Sequence, residues 1–319
     1  MIVITGGSGF IGSNLVYTLN KNNFYEILIV EELDTYKEKF NNIKDLKYVD
    51  CISKESFLEE VRTSNKAFIK NIDYIFHLGA CSKTTEEDKD YMMSTNFHYS
   101  KDLLEFCSNS KINLTYASSA SVYGSGKTFS ENPENESFLN HYAESKLMFD
   151  NYYRESQTKI QSQVVGLRYF NVFGPREGHK KVMSSVIYHF YNQMKEGKNI
   201  KLFKGSHGYD DGEQRRDFIF VDDTIDVKLW FMNNPNISGI YNIGTGESRT
   251  FNDIASAILS YFGTGKIEYI NFPLKLENQY QAFTEADIKN LRKVGYKKEF
   301  TKLENGILKY LDWLSNKTV

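Results

Sequence analysis

The chain has 319 residues, 40% of them hydrophobic and 25% charged, and a formal net charge of −2. Such a composition fits one large globular domain or two packed ones and excludes a disordered chain. The near-neutral balance, with no long Lys/Arg run, excludes a general nucleic-acid binder, and no apolar stretch approaches the ~20 residues needed to cross a bilayer.

In chain order, Ile2-Val3-Ile4 is strand-like, and the first glycine turn follows at once at Gly6, which leaves no room for a signal peptide. Ile11 to Asn20 carries apolar residues at helical spacing. Ile27-Leu28-Ile29-Val30, Tyr74-Ile75-Phe76, Leu114-Thr115-Tyr116-Ala117 and Val164 to Tyr169 read as further buried strands. Strands separated by helical stretches predict right-handed βαβ units and a parallel sheet. After Asn171 the pattern turns to short strands, turns and helices, with loop signals at Gly205 to Gly212 and Gly244-Thr245-Gly246 and a helical tail from Phe300 to Leu314. The expected fold is therefore α/β, a Rossmann-like doubly wound parallel sheet over residues 1–170. A smaller, mainly substrate-binding mixed α/β portion covers 171–319, and the chain is expected to cross back to the first domain around 217–245. Cys51, Cys81 and Cys107 are odd in number and scattered, which reads as reduced thiols in a cytoplasmic protein, with no disulfide frame and no metal site.

Thr5-Gly6-Gly7-Ser8-Gly9-Phe10-Ile11-Gly12 follows the first strand and opens a helix. Glycines at Gly6, Gly9 and Gly12 let the backbone turn tightly, and unpaired N–H groups at the helix start hold a pyrophosphate. Glu31 closes the second strand about 20 residues further on, where an acid grips the adenosine ribose hydroxyls. Glu31 and Glu32 would repel a 2′-phosphate, which favours NAD; Lys39 and Lys54, if not simply surface charges, would offset that repulsion.

Tyr142-Ala143-Glu144-Ser145-Lys146 puts Tyr142 and Lys146 on one helix face. A phenol titrates near ~10, and a neighbouring ammonium is expected to pull it down toward the range of a useful base. Lys146 would also bond the cofactor ribose, and Ser119, in Ser118-Ser119-Ala120-Ser121, would bond the hydroxyl being oxidised.

Together the glycine loop, the serine stretch and the Tyr142/Lys146 pair resemble the extended short-chain dehydrogenase/reductase family over the whole chain. Arg216 to Asp223 and Tyr241 to Gly246 look like that family's later motifs. The resemblance implies an enzyme working on nucleotide-linked sugars. Three stretches narrow it: His77-Leu78-Gly79-Ala80-Cys81-Ser82, Arg168 to Lys180, and Gln279-Tyr280-Gln281-Ala282-Phe283-Thr284. They resemble the branch of epimerases that invert C6 of an ADP-linked heptose with NADP, within a soluble homo-oligomer that binds neither nucleic acid nor membrane.

Carried over residue by residue, that likeness implies Tyr142 and Lys180 as opposed acid/base groups. It implies cofactor contacts from Phe10, Ile11, Lys39, Lys54, Leu78, Gly79, Ala80, Cys81, Ser82, Thr95, Lys146, Val172 and Lys180. Substrate contacts are implied for Asn171, Val182, His189, the Phe203-Lys204-Gly205-Ser206 segment, Arg216 and Tyr280. Arg216 suits a pyrophosphate clamp, since a guanidinium fork matches phosphate oxygens; its competing use is an ion pair with Asp217. Glu31-Glu32 stands where the family has Asp-Asn. Leu78, Thr95 and Val182 replace more polar residues, with Asn96, Ser184 and Ser185 as nearby polar substitutes. The alternatives are an epimerase or reductase for another nucleotide sugar, such as a GDP-heptose, and an inactive NADP-sensing scaffold. A 4,6-dehydratase is disfavoured because Ser119-Ala120-Ser121 lacks the acidic pair of those enzymes.

Overall fold

The strands that read as continuous apolar runs are buried along their full length, as expected of a sheet covered on both faces. They are β1 (Ile2–Thr5), β2 (Ile27–Val30), β4 (Tyr74–His77) and β6 (Val164–Tyr169). With β3 (Asp50–Ile52), β5 (Asn113–Ser119) and β10 (Gly239–Ile243) they form one seven-stranded parallel sheet in the order β10-β6-β5-β4-β1-β2-β3. The computed structural model describes residues 1–32, 37–63, 65–273 and 280–316. Gln279, singled out in the sequence, lies outside them.

Helices α1 (Phe10–Lys21), α2 (Tyr99–Ser110), α3 (His141–Ser156) and α5 (Val221–Met232) cover the sheet. Helix α1 turns Leu15, Val16 and Leu19 into a core shared with Ile4, Ile29, Phe76 and Ile225. On the other face, Phe57, Leu103, Phe106, Phe149 and Tyr153 pack against Val3, Ile75 and Leu114. The chain leaves this sheet after β6 and returns to it at β10, beside β6. In between and beyond it builds β7 (Asn171–Phe173), β8 (Ile200–Phe203), β9 (Arg215–Phe220), β11 (Ser248–Thr250) and β12 (Ile267–Ile270). These form a three-stranded sheet, β11-β9-β7, and a parallel pair, β12-β8. Helices α4 (Val186–Lys195), α6 (Phe251–Phe262) and α7 (Leu303–Asn316) pack around them over a core of Phe190, Tyr191, Ile254, Ile258, Ile307 and Tyr310.

Strand order reverses between β1 and β4, so the loops after those two strands diverge and leave a crevice at their carboxyl ends, the usual ligand position in such sheets. Among the described residues no helix is long and apolar enough to cross a membrane. The three cysteines are unpaired, and no group of described residues has the makeup of a metal site.

Candidate active site

The glycine loop fills the crevice. Gly6 has φ 68°, and a Cβ there would come within 2.7 Å of the Gly79 nitrogen; at Gly12 it would come within 2.2 Å of the Gly6 carbonyl oxygen. Only glycine lets the turn lie this close to the end of β4. Helix α1 starts at Gly9 with no side-chain cap and no acid in its first turn, so its first N–H groups remain open to an anion. Behind the loop, His77 Nδ1 lies 2.7 Å from Thr5 Oγ1 and its Nε2 2.8 Å from Ser100 Oγ. Burial pushes this imidazole down to about 3, so it is a neutral clamp holding Gly79 to β1 through Thr5.

Two connected spaces open at the loop. One, of about 280 Å³, is lined by Gly6, Gly9, Phe10, Ile11, Gly12, Leu78, Ser119, Tyr142, Lys146, Val172 and Lys180. The other, of about 570 Å³, is lined by Glu31, Glu32, Lys39, Lys54, Gly79, Ala80, Cys81, Ser82, Thr95 and, again, Lys180. Every residue expected at the cofactor thus faces one of these spaces. Lys39 Nζ stands 3.3 Å from Glu31 Oε1, while Glu31 Oε2, on the wall of the same space, is buried with no hydrogen-bond partner. Lys54 places its ammonium 4.9 Å over the Tyr99 ring. The open helix start, the glycine cradle and this orphaned carboxylate oxygen fit a dinucleotide.

Asn140 caps α3 by accepting from Ala143 N at 2.9 Å, which sets Tyr142 and Lys146 at the end of β5. Burial pushes the Tyr142 phenol up, partly offset by its hydrogen bond with Ser119. The downward pull expected from Lys146 is not the dominant effect. The reason is geometric: Lys146 Nζ donates to the Ala117 carbonyl at 2.8 Å. Burial pushes Lys146 itself down to about 8, against the attraction of Asp150 one turn further along α3.

A third space of about 700 Å³ lies between the sheets, lined by Asn171, Val182, His189, Phe203, Arg216 and Tyr280, and also by Lys180. Lys180 therefore borders all three spaces. Its ammonium lies 5.5 Å over the Phe10 ring, and burial pushes its pKa down. Arg216 is buried and stacks at 4.8 Å on Tyr280. It does not pair with Asp217, whose carboxylate accepts from Thr245 N, Gly246 N and Ala286 N. No carboxylate among the described residues neutralises Arg216, which leaves a buried cation facing the cavity. Lys204, Gly205 and Ser206 lie off this wall: Gly205 N donates to Asp211, and Gln214 Nε2 bonds Lys204 O and Ser206 Oγ.

Of the polar substitutes expected for Leu78, Thr95 and Val182, Ser184 and Ser185 line the third space, and all three, Asn96 among them, are hydrogen-bonded within the protein. Asn96 spans the Cys81 backbone, accepting from its N–H at 2.8 Å and donating to its carbonyl at 3.0 Å. Ser184 donates to the Glu177 carbonyl and Ser185 to the Glu177 carboxylate. Sequence reading missed Glu177, Asn42 and His179. Asn42 Nδ2 reaches Ser8 O, Arg176 O and His179 Nδ1, all at 3.0–3.1 Å, and ties the glycine loop to the segment that carries Lys180.

The chain matches the family model described as the NAD dependent epimerase/dehydratase family over residues 2–244. It is 48% identical, over 98% of its length and 97% of the relative's, to an ADP-L-glycero-D-manno-heptose-6-epimerase of Alkalilimnicola ehrlichii. The crystal structure of Helicobacter pylori ADP-L-glycero-D-manno-heptose-6-epimerase superposes with a TM-score of 0.84 at 31% identity, covering 98% of this chain and 96% of that one. A UDP-N-acetylglucosamine 4-epimerase of Methanobrevibacter ruminantium, in complex with UDP-N-acetylmuramic acid, reaches the same score at 26% identity, covering 99% and 98%.

Proposed function

Because the chain belongs to the NAD dependent epimerase/dehydratase family, we propose that it inverts C6 of ADP-D-glycero-D-manno-heptose, giving the L-glycero epimer through a transient 6-ketone. The substrate follows from the relatives in Alkalilimnicola and Helicobacter. The observation that carries the reading is the position of Lys180: a second proton-carrying group, on a different element from Tyr142, borders both the cofactor space and the substrate space.

The family's nicotinamide, when bound, supplies a hydride acceptor and donor at C6. The chain's own groups handle the protons. Tyr142 takes the C6 hydroxyl proton, and its hydrogen bond with Ser119 is the interaction that offsets the upward push of burial on the phenol. Rotation about C5–C6 turns the other face of the ketone inward. One fixed side chain does not serve both configurations, and Lys180 supplies the proton for the inverted hydroxyl. Phe10 and Phe170 give the reacting space an apolar wall.

The domain division at 170/171 belongs to the same reading, with Arg216 and Tyr280 on the substrate side. Arg216 takes the ADP diphosphate. Replacing it by Met leaves that anion unpaired and weakens nucleotide-sugar binding by about 2–5 kcal/mol, measured calorimetrically; wild-type affinity would remove Arg216 from the clamp.

NADP is the preferred cofactor in this reading. Lys39 offsets the charge of Glu31, and Lys54 lines the same space. Acid release from the purified protein followed by mass spectrometry is expected to give mainly NADP; NAD alone would mean that Glu31 and Glu32 dominate. A cytoplasmic location and self-association of the chain complete the reading, the latter read out by light scattering.

A further inference from the structure

Lys180 rides on a segment whose ends are tied to different halves of the molecule. On the side of the glycine loop, Asn14 Nδ2 donates to the Pro175 carbonyl at 2.9 Å and Asn42 Nδ2 to the Arg176 carbonyl at 3.1 Å. On the other side the segment runs into α4 at its cap, Ser185. The stretch between is poorly held by packing. Lys181 sits at φ 51°, ψ −118°, a region that strains a non-glycine residue, and Val182 is 85% exposed.

One buried group closes this segment. Glu177 is fully buried, and its carboxylate accepts from Ser185 Oγ and from Ser185 N, each at 2.6 Å. Its carbonyl accepts from Lys180 N at 2.9 Å and from Ser184 Oγ at 3.0 Å. Short bonds to an ionised acceptor are the strong kind, and a negative charge at the start of α4 is favoured by the helix dipole. Burying a carboxylate is costly, and burial does push the Glu177 pKa up. A neutral residue would tie a loop without that cost, so the carboxylate points to a need for stiffness at this point.

We propose that Glu177 is a positioning residue for the reaction: by fastening the loop 177–185 to the start of α4, it holds Lys180 at the junction of the cofactor and substrate spaces. The inference rests on the reading of Lys180 as the second proton-transfer group. Glu177 touches no substrate in this account and acts only through Lys180.

The test is a double-mutant cycle in the holoenzyme as purified. Glu177→Gln keeps the shape of the side chain but presents an amide nitrogen to one of the two Ser185 donors. Its kcat is expected to fall by up to about 10²-fold, the cost of a misplacement near 1 Å. KM and dinucleotide content should stay within about twofold of wild type, an estimate that follows from leaving the binding groups intact. Glu177→Gln combined with Lys180→Ala should be no slower than Lys180→Ala alone. Wild-type kcat in Glu177→Gln, or losses that multiply in the double variant, would overturn the inference. If Glu177→Gln does not fold, Ser185→Ala, which removes one donor and keeps the carboxylate, enters the same cycle. Full activity in Lys180→Ala would remove the role of Lys180 itself, and the inference with it; a multiplying cycle would remove only Glu177.

Discussion

Replacing Tyr142 by Phe is expected to lower turnover about 10²–10⁴-fold, the usual scale for a general acid–base group. The substitution deletes one oxygen from a half-buried ring that stays in place, because Ala143 and Lys146 on the same helix are buried and Asn140 still caps it. Ser119 keeps its bonds to Ser121 and can still meet the substrate hydroxyl, so binding should change little. Dinucleotide content and nucleotide-sugar affinity, measured on the same preparation, should therefore match wild type. Nearly full activity would mean that Tyr142 is only a packing residue of α3.

Lys180→Ala is expected to cost a similar factor, again about 10²–10⁴ in kcat. Burial pushes the Lys180 pKa down from the ordinary lysine value, which makes its ammonium a readier proton donor. Its ammonium lies 5.5 Å over the Phe10 ring at the start of α1, and the Glu177 carboxylate pulls its pKa back up. Alanine leaves space that water can enter, and water is a poorer, unpositioned proton donor. Steady-state kinetics should show the loss in kcat with KM changed far less. A variant whose KM rises while kcat holds would assign Lys180 to substrate binding alone.

The parallel sheet was legible because β1, β2, β4 and β6 are buried on both faces and therefore read as unbroken apolar runs. Strand β3 was not: it is a three-residue edge strand with an exposed Asp50, and nothing in its composition marks it. The strands of the second half are only three to six residues long and depend on partners far along the chain, as β9 does on β7 and β11. The glycine loop and the Tyr142/Lys146 spacing are local patterns, so a reader of sequence finds them. Where the Lys146 ammonium points is not local: it is bonded to Ala117, and burial, not Lys146, dominates at Tyr142. Asn42 was invisible for the same reason, since its partners lie 34 and 134 residues away. Glu177 lay inside a recognised motif, but its work depends on a loop that returns to it at Ser185.

The central claim is that C6 is inverted by moving its hydrogen out and back within a closed site. Stripping a proton from C6 instead would leave a carbanion next to no carbonyl, a far less stable species. The direct test is to incubate the purified protein with ADP-D-glycero-D-manno-heptose in D₂O and to follow C6 by NMR. The account predicts the L-glycero epimer with protium still at C6; deuterium at that carbon, or no epimer at all, would contradict it.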